Sequence, residues 1–199
     1  MVKRRIMESK TGQEAIPREE YFRMLSVLPV FCVDNLAYRI KDGEVQVLLV
    51  KRTQDPAKGC LYPIGKGLKK NVFSNNWALQ ALFKEVQMNA KVIRAFGLYE
   101  GIYAIGQSSK VKDGLHNPCI AYLTELEDST ITLDATSSAY QWVTKKDVEE
   151  GLLLPPYTRV LLEDSEIFSR KPSELKNSGT FKHRLLDYRR TDFSKFAIA

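Results

Sequence analysis

The chain has 199 residues, a formal net charge of +6 and 44% hydrophobic residues. This length suits one domain with a sizeable core and leaves little room for a second full domain. The apolar run at 25–33 is too short to span a bilayer, and it contains Pro29. The basic start has no apolar segment after it, so it does not resemble a secretory signal. We therefore expect a cytoplasmic protein with no membrane partner.

Positive charge is concentrated at the two ends of the chain. The first ten residues carry a net charge of +3 and residues 168–199 carry +5, which leaves about −2 for the middle. We therefore predict a basic N-terminal segment at 1–15, a domain at 16–168 and a basic C-terminal tail at 169–199. RNA or an acidic protein partner would have to bind through these termini.

The three cysteines, Cys32, Cys60 and Cys119, are scattered and form no CxxC pair. Each lies in an apolar context, which favours buried free thiols over a disulfide framework or a zinc site. A nucleophilic role for Cys60 is not favoured, because no basic partner lies at a fixed spacing from it.

Hydrophobic periodicity and turn signals predict alternating strands and helices. The predicted helices are 17–26, a helix capped by Ser74, 145–150, and a last amphipathic helix that opens at Pro155 and Pro156. The predicted strands are 27–40, 45–51, 91–105, 118–126 and 139–143. A hairpin turn is expected at 41–44, a bend at Gly97 and a polar loop at 107–114.

The helix after Ser74 and the loop before it form the central feature of the sequence. Apolar residues recur along this helix at helical spacing and should face a core; they are Ala78, Leu79, Leu82, Phe83 and Val86. The loop contains Gly65, Lys66 and Gly67, followed by Lys69 and Lys70. Glycine lets backbone N–H groups approach an anion, and ammonium groups bind phosphate as point charges. With Lys84 from the helix, these residues are either a solvated basic surface or a phosphate site that needs no metal.

The segment 47–67, VLLVKRTQDPAKGCLYPIGKG, resembles the entry to a Nudix box. Its residue pattern resembles that of the GDP-mannose mannosyl hydrolase branch of the Nudix superfamily. Tyr140-Gln141-Trp142 also resembles a Tyr-x-Trp strand of that branch. The resemblance implies an α/β (α+β) fold, a Nudix-type α/β/α sandwich with a mixed β-sheet. It adds Arg52 to the candidate binding residues and suggests a homodimer.

The Nudix box implies a helix whose glutamates hold a divalent metal ion, and most of those glutamates are replaced in this chain. With Leu82 as the central apolar residue, the other positions are Gln80 at the arginine, Ala81 at the first helical glutamate, Lys84 and Glu85 at the paired glutamates, Gln87 at the late glycine, and Val72 or Asn71 at the upstream glutamate. Thr136 and Ser137 stand where the mannosyl hydrolase branch has a Gln-His pair. One box carboxylate remains, Glu85, which is either a residual metal ligand or a solvated or ion-paired surface group.

Other candidate residues have plain alternatives. His116 is either a displaced general base or an ordinary loop histidine. Trp77 and Trp142 are either core or rim aromatics, or stacking platforms for a base.

Two functions follow from the resemblance. The first is a Nudix-fold protein with a degenerate metal site, which binds a nucleotide, nucleotide sugar, nucleic acid or protein with little or no hydrolysis and requires no cofactor. The alternative is an active hydrolase that cleaves a nucleoside-diphosphate sugar or another X-linked nucleoside diphosphate with Mg²⁺. Magnesium prefers several oxygen ligands in octahedral geometry, and this box offers one carboxylate, which favours the binder.

The basic tail carries Phe181, Leu185 and Tyr188 at helical spacing. This spacing predicts a terminal helix, which either packs on its own domain, docks on an acidic partner or acts as a nucleic-acid arm.

Overall fold

The computed structural model describes residues 17–104, 111, 114–127, 130–176 and 179–198. The helices are α1 (Arg18–Leu25), α2 (Ser74–Val86), α3 (Lys145–Glu149) and α4 (Pro156–Ser165), with 3-10 turns at Pro172–Glu174 and Phe193–Phe196. The strands are β1 (Cys32–Lys41), β2 (Glu44–Arg52), β3 (Leu61–Tyr62), β4 (Ile64–Gly67), β5 (Ala90–Tyr103), β6 (Leu115–Leu126), β7 (Ser137–Val143) and β8 (Lys182–Asp187). None of the helices in these ranges is both long enough and apolar enough to span a membrane.

The described strands form one mixed sheet in the order β3-β2-β1-β6-β5-β8, with β4 also paired to β1 and β7 to β2. The β1–β2, β1–β4, β2–β7 and β5–β6 pairs are antiparallel. The β1–β6 and β5–β8 pairs are parallel. Strand β1 therefore lies at the centre, where it contacts three other strands.

Helices cover both faces of this sheet, which confirms the predicted α/β/α sandwich. Successive strand residues point to opposite faces, and β1 shows the consequence. Val33 packs with Trp77 and Ala78 of α2, whereas Leu36 belongs to the larger cluster that contains α1 and α4 residues. Nearly all of β1 is buried because each of its faces meets a helix layer.

The first helix and the hairpin lie where the sequence predicts them. The β1–β2 hairpin turns through Asp42 and Gly43, whose φ angles of 52° and 80° are typical of a tight two-residue turn. The start of β1 differs from the prediction, because the strand begins at Cys32 rather than at Val27. The backbone N–H groups of Val27 and Leu28 donate to the carbonyl of Met24, so these residues continue the end of α1.

Helix α2 is present, but two details of its prediction are wrong. The residue before the helix is Phe73, and no side chain caps it. The Ser74 hydroxyl is instead hydrogen-bonded to the Tyr122 hydroxyl at 2.6 Å. Phe83 is 51% exposed, whereas Ala81 and Glu85 are buried. The helix therefore turns a polar residue, Glu85, towards the interior.

Strand β5 bends where the sequence predicts it. Its pairing with β6 shifts register between Ala95 and Gly97. A Cβ atom at Gly97 would lie 2.5 Å from the Tyr99 ring, so this bend requires glycine. The predicted loop at 107–114 lies mostly outside the described residues, and His116 is in strand β6 rather than in a loop.

The predicted C-terminal helix is wrong, because residues 182–187 form strand β8, parallel to β5. Strand β5 offers a row of backbone N–H and C=O groups at the edge of the sheet, and β8 pairs with them. Beyond the strand, Tyr188 is buried and its ring centroid lies 5.3 Å from that of Tyr103. Residues assigned to a separate tail thus extend the sheet and contribute to its core, although Leu185 is 75% exposed.

Candidate functional site

A cleft of about 210 Å³ is lined by residues of strands β1 to β7 and of helices α1, α2 and α4. The lining side chains that bear on chemistry are Cys32, Asp34, Arg52, Tyr62, Lys66, Glu85, Asn117, Cys119 and Tyr157. The backbone of Gly65 and Gly67 contributes the edge formed by β4.

On the α2 side of the cleft, one ammonium group contacts two carboxylates. Lys66 Nζ lies 3.0 Å from Glu85 Oε1 and 3.5 Å from Asp134 Oδ2. Strand β4 presents Lys66 next to the inward face of α2, from which Glu85 projects. Asp134 is held by the Thr136 backbone N–H, which donates to its Oδ1 at 2.8 Å. The Lys66 side chain remains 25% exposed, so it is still accessible from the cleft.

Burial raises the pKa of Glu85 from its ordinary value of 4.5 to about 7. Lys66 opposes this rise through its charge and its hydrogen bond, whereas the negative charge of Asp134 adds to it. Glu85 is therefore ion-paired, as one interpretation of the sequence expected, but it is buried rather than on the surface. A carboxyl group with a pKa near 7 exchanges a proton readily at neutral pH.

On the opposite side of the cleft, Asp34 is buried and accepts a hydrogen bond from the Tyr157 hydroxyl. Burial raises the pKa of Asp34, although Tyr157, Cys119 and Arg52 act in the other direction. Asp34 is directly opposite Gly65 in the β1–β4 pair. A Cβ atom at Gly65 would lie 1.8 Å from Asp34 Oδ1. Position 65 therefore requires glycine, because the Asp34 carboxyl group occupies the space that a side chain would fill.

Arg52, at the end of β2, places its guanidinium 4.8 Å from the centroid of the Tyr62 ring. Its Nε donates a long hydrogen bond of 3.4 Å to the Gln54 carbonyl. No carboxylate of the described residues lies within ion-pair distance of Arg52. The guanidinium edge is therefore available to an anion in the cleft.

The structure brings together part of the predicted binding set. Arg52, Gly65, Lys66, Gly67 and Glu85 all line the cleft. The predicted residues that do not line it are Lys69, Lys70 and Lys84.

Lys84 and Lys69 approach the Trp77 ring instead, at 4.8 and 6.0 Å from its centroid. Trp77 itself is buried and donates from Nε1 to the Gly67 carbonyl at 2.7 Å, so it supports the end of strand β4. Trp142 lies under the Arg39 guanidinium at 3.8 Å. His116 is outside the cleft, with Nε2 3.7 Å from Glu100.

The residues that the resemblance assigns to the Nudix box lie in α2, at its two ends and beside the cleft. Ala81 is fully buried, and Val72 packs in the cluster around Trp77. Gln87 ends α2 with a φ of 55°, the left-handed conformation for which glycine is the usual residue. Ser137 is also buried and lines the cleft near Thr136.

Sequence reasoning missed several residues of the site, chiefly Asp34, Asp134, Asn117 and Tyr157. The signal for Asp34 was available, because a carboxylate inside a buried apolar strand is costly unless it is hydrogen-bonded. The Asn117 amide oxygen is buried and has no hydrogen-bond partner among the described residues. It is therefore a free acceptor in the wall of the cleft.

The described carboxylates do not fit a magnesium ion in this arrangement. Mg²⁺ requires near-octahedral oxygen ligation, and no group of three His, Cys, Asp or Glu side chains in the described ranges is placed to hold a metal. Glu85 and Asp134 are both engaged by Lys66, and Asp34 is engaged by Tyr157. The cation beside Glu85 in the described part of the chain is the Lys66 ammonium group.

No protein-family model and no curated protein matches this sequence. Solved structures do match it. They include a Nudix hydrolase from Nitrosomonas europaea, with a TM-score of 0.58, 12% identity, and 80% of this chain and 79% of that chain covered. They also include the Nudix domain of Shewanella oneidensis NrtR complexed with ADP ribose, with a TM-score of 0.54, 16% identity, and 76% and 97% covered. A MutT Nudix hydrolase from Burkholderia pseudomallei has a TM-score of 0.52, 20% identity, and 69% and 98% covered. At these identities the likeness concerns architecture, and the chain has the fold of the Nudix hydrolases.

Proposed function

We propose that the cleft binds the diphosphate of a nucleotide or nucleotide sugar through Lys66 and Arg52, with little or no metal-dependent hydrolysis. The observation that carries this proposal is the Lys66 ammonium between Glu85 and Asp134. This contact supplies positive charge at the remaining box carboxylate without a metal. The box register, with Ala81 and Lys84 at glutamate positions, is consistent with a degenerate metal site.

The two basic groups suit an oxygen-rich anion. The guanidinium of Arg52 has no carboxylate partner among the described residues, and its planar fork can bind phosphate oxygens in a bidentate manner. Lys66 would contact the ligand as a point charge from β4, where glycines on both sides allow the backbone to come close.

Glu85 would adjust to the arrival of the anion. A phosphate beside Lys66 repels the Glu85 carboxylate, which would raise the pKa of Glu85 further. Because that pKa is already about 7, proton uptake at neutral pH costs little. Binding should therefore strengthen as the pH falls from about 8 to 6.

Two of the structural neighbours are consistent with a nucleotide-like ligand. The Shewanella oneidensis NrtR domain is described as a complex with ADP ribose. Another neighbour is described as a UDP-X diphosphatase and has a TM-score of 0.51. These descriptions, and the resemblance of 47–67 to the GDP-mannose mannosyl hydrolase branch, suggest a test panel of ADP-ribose, GDP-mannose and GDP.

The test is calorimetric titration of this panel in EDTA with the full chain. We expect salt-sensitive binding that survives the chelator and weakens about tenfold or more in Lys66→Ala and in Arg52→Ala. Lys84→Ala is the matched control, because Lys84 lies outside the cleft and its substitution should leave affinity unchanged. If the whole panel fails to bind in EDTA, or if Lys84→Ala weakens binding as much as Lys66→Ala, the proposal is wrong.

A second candidate function is hydrolysis of the same class of ligand. It is favoured by the pKa of Glu85, because a carboxyl group with a pKa near 7 is suited to general base catalysis at neutral pH. Release of phosphate or sugar from GDP-mannose in Mg²⁺, abolished by Glu85→Gln, would establish this function in place of simple binding.

A further inference from the structure

Two cysteines face each other in the wall of the cleft. Cys32 of β1 and Cys119 of β6 are directly opposite in the parallel β1–β6 register. Neighbouring strands lie about 4.8 Å apart, and disulfides join Cα atoms about 4.4–6.8 Å apart. Both residues line the cleft, and the Cys32 thiol donates to the Val30 carbonyl at 3.3 Å. The register therefore places the two cysteines side by side on neighbouring strands.

We propose that Cys32 and Cys119 are a redox-active dithiol, which a hydroperoxide that enters the cleft converts into a disulfide between β1 and β6. This modification site does not depend on the ligand proposed above. It goes beyond the prediction of buried free thiols, which is what all three cysteines are in the structure.

A third group, Asp34, separates the roles of the two thiols. Asp34 follows Cys32 by two residues, so both side chains are on the same face of β1. Cys119 acts to lower the pKa of the Asp34 carboxyl group, against the effect of burial. Cys32, burial and the nearby Asp34 raise the pKa of the Cys119 thiol well above its usual range. Because the thiolate is the attacking form, Cys32 is the nucleophile and Cys119 is the resolving thiol.

The reaction balances in two steps. The Cys32 thiolate attacks one oxygen of the hydroperoxide, the O–O bond breaks, and with one proton the products are the Cys32 sulfenic acid and water or an alcohol. The Cys119 sulfur then attacks the Cys32 sulfur, which forms the S–S bond and breaks the S–O bond. The Cys119 proton passes through Asp34 to the departing hydroxide and gives water. With hydrogen peroxide, two thiols are oxidised and the peroxide is reduced to two waters.

Cys60 provides an internal comparison in the same chain. It is fully buried and donates from Sγ to the Phe193 carbonyl at 3.3 Å, between the end of β2 and the C-terminal residues. It does not line the cleft. Burial raises the pKa of the Cys60 thiol, which disfavours its thiolate. A general oxidation of buried cysteines would modify Cys60, whereas the proposed reaction leaves it reduced.

The experiment treats the reduced, full-length protein with hydrogen peroxide, blocks the remaining thiols with N-ethylmaleimide after denaturation, and maps the peptides without reduction. We expect the loss of two hydrogens, a linked Cys32–Cys119 peptide, an alkylated Cys60, and reversal by dithiothreitol. Cys119→Ser should accumulate a Cys32 sulfenic acid that dimedone traps, and Cys32→Ser should give neither a link nor a dimedone adduct.

The results that overturn the proposal are equally definite. They are a linked peptide that involves Cys60, irreversible sulfinic acid at Cys32 without any link in the wild-type protein, or equal dimedone labelling of both serine variants. The peptide map of the wild-type protein tests the Cys32–Cys119 link by itself, so a folding defect in either variant does not remove the test.

Discussion

Glu85 makes the stability of the protein depend on pH, and Glu85→Gln should remove this dependence. The pKa of Glu85 rises from 4.5 to about 7 on folding, chiefly because the group is buried. The folded state therefore holds a proton that the unfolded state releases between these two pH values. Over this interval the unfolded chain binds fewer protons, so the free energy of unfolding falls as the pH rises.

The magnitude follows from the size of the shift. Each pKa unit corresponds to about 1.4 kcal/mol. A shift from 4.5 to about 7 therefore makes the contribution of Glu85 to the free energy of unfolding about 3 kcal/mol lower at pH 7.5 than at pH 4. The glutamine is neutral throughout and nearly the same shape. Relative to the wild-type protein, Glu85→Gln should therefore gain about 3 kcal/mol in unfolding free energy as the pH rises from 4 to 7.5.

The assay is urea denaturation of both proteins at closely spaced pH values in a constant ionic strength. Glu149→Gln is the matched control, because Glu149 is an exposed helical glutamate paired with Lys145. The free energy of unfolding of this variant should stay within about 0.5 kcal/mol of the wild-type value at every pH. If the difference between wild type and Glu85→Gln is flat from pH 4 to 7.5, Glu85 is not a buried carboxyl group with a raised pKa. The expected proton uptake by Glu85 when an anion binds beside Lys66 would then be wrong.

Three further predictions concern the site and the tail. Gly65→Ala should lower the free energy of unfolding by about 1–3 kcal/mol and weaken ligand binding, because the new methyl group would lie 1.8 Å from Asp34 Oδ1. Unchanged stability in denaturation and unchanged affinity in calorimetry would contradict this contact. Tyr188 and Phe193 pack on Tyr103, so Tyr188→Ala should lower the free energy of unfolding by about 3–5 kcal/mol. For the same reason, deletion of 170–199 should unfold or aggregate the domain. A truncated chain with wild-type thermal stability would show that the tail is dispensable. Mg²⁺-dependent hydrolysis of GDP-mannose should be absent or at least about a hundredfold below that of an active Nudix hydrolase assayed in parallel, because groups that would hold metal or move protons are replaced.

The sequence by itself determined many of the local elements and the overall architecture. Periodicity in 74–86 specifies α2, and the Asp42-Gly43 turn specifies the β1–β2 hairpin, because these signals depend on residues close together in the chain. The sequence also identified Gly65, Lys66 and Gly67 as candidate site residues, but it predicted a loop where the structure has strand β4. The resemblance of 47–67 to a Nudix box was enough to predict the α/β/α sandwich that the structure has.

Only the tertiary structure decided which side chains meet in the cleft and what the end of the chain does. Asp134 lies 68 residues from Lys66, and Tyr157 lies 123 residues from Asp34, so no local pattern could pair them. Helical spacing in 181–188 gave a wrong prediction, because the unpaired edge of β5 favours a strand there regardless of local propensity. The raised pKa of Glu85 has the same kind of origin: the sequence supplies the carboxyl group, and the packing of α2 against the sheet removes it from water.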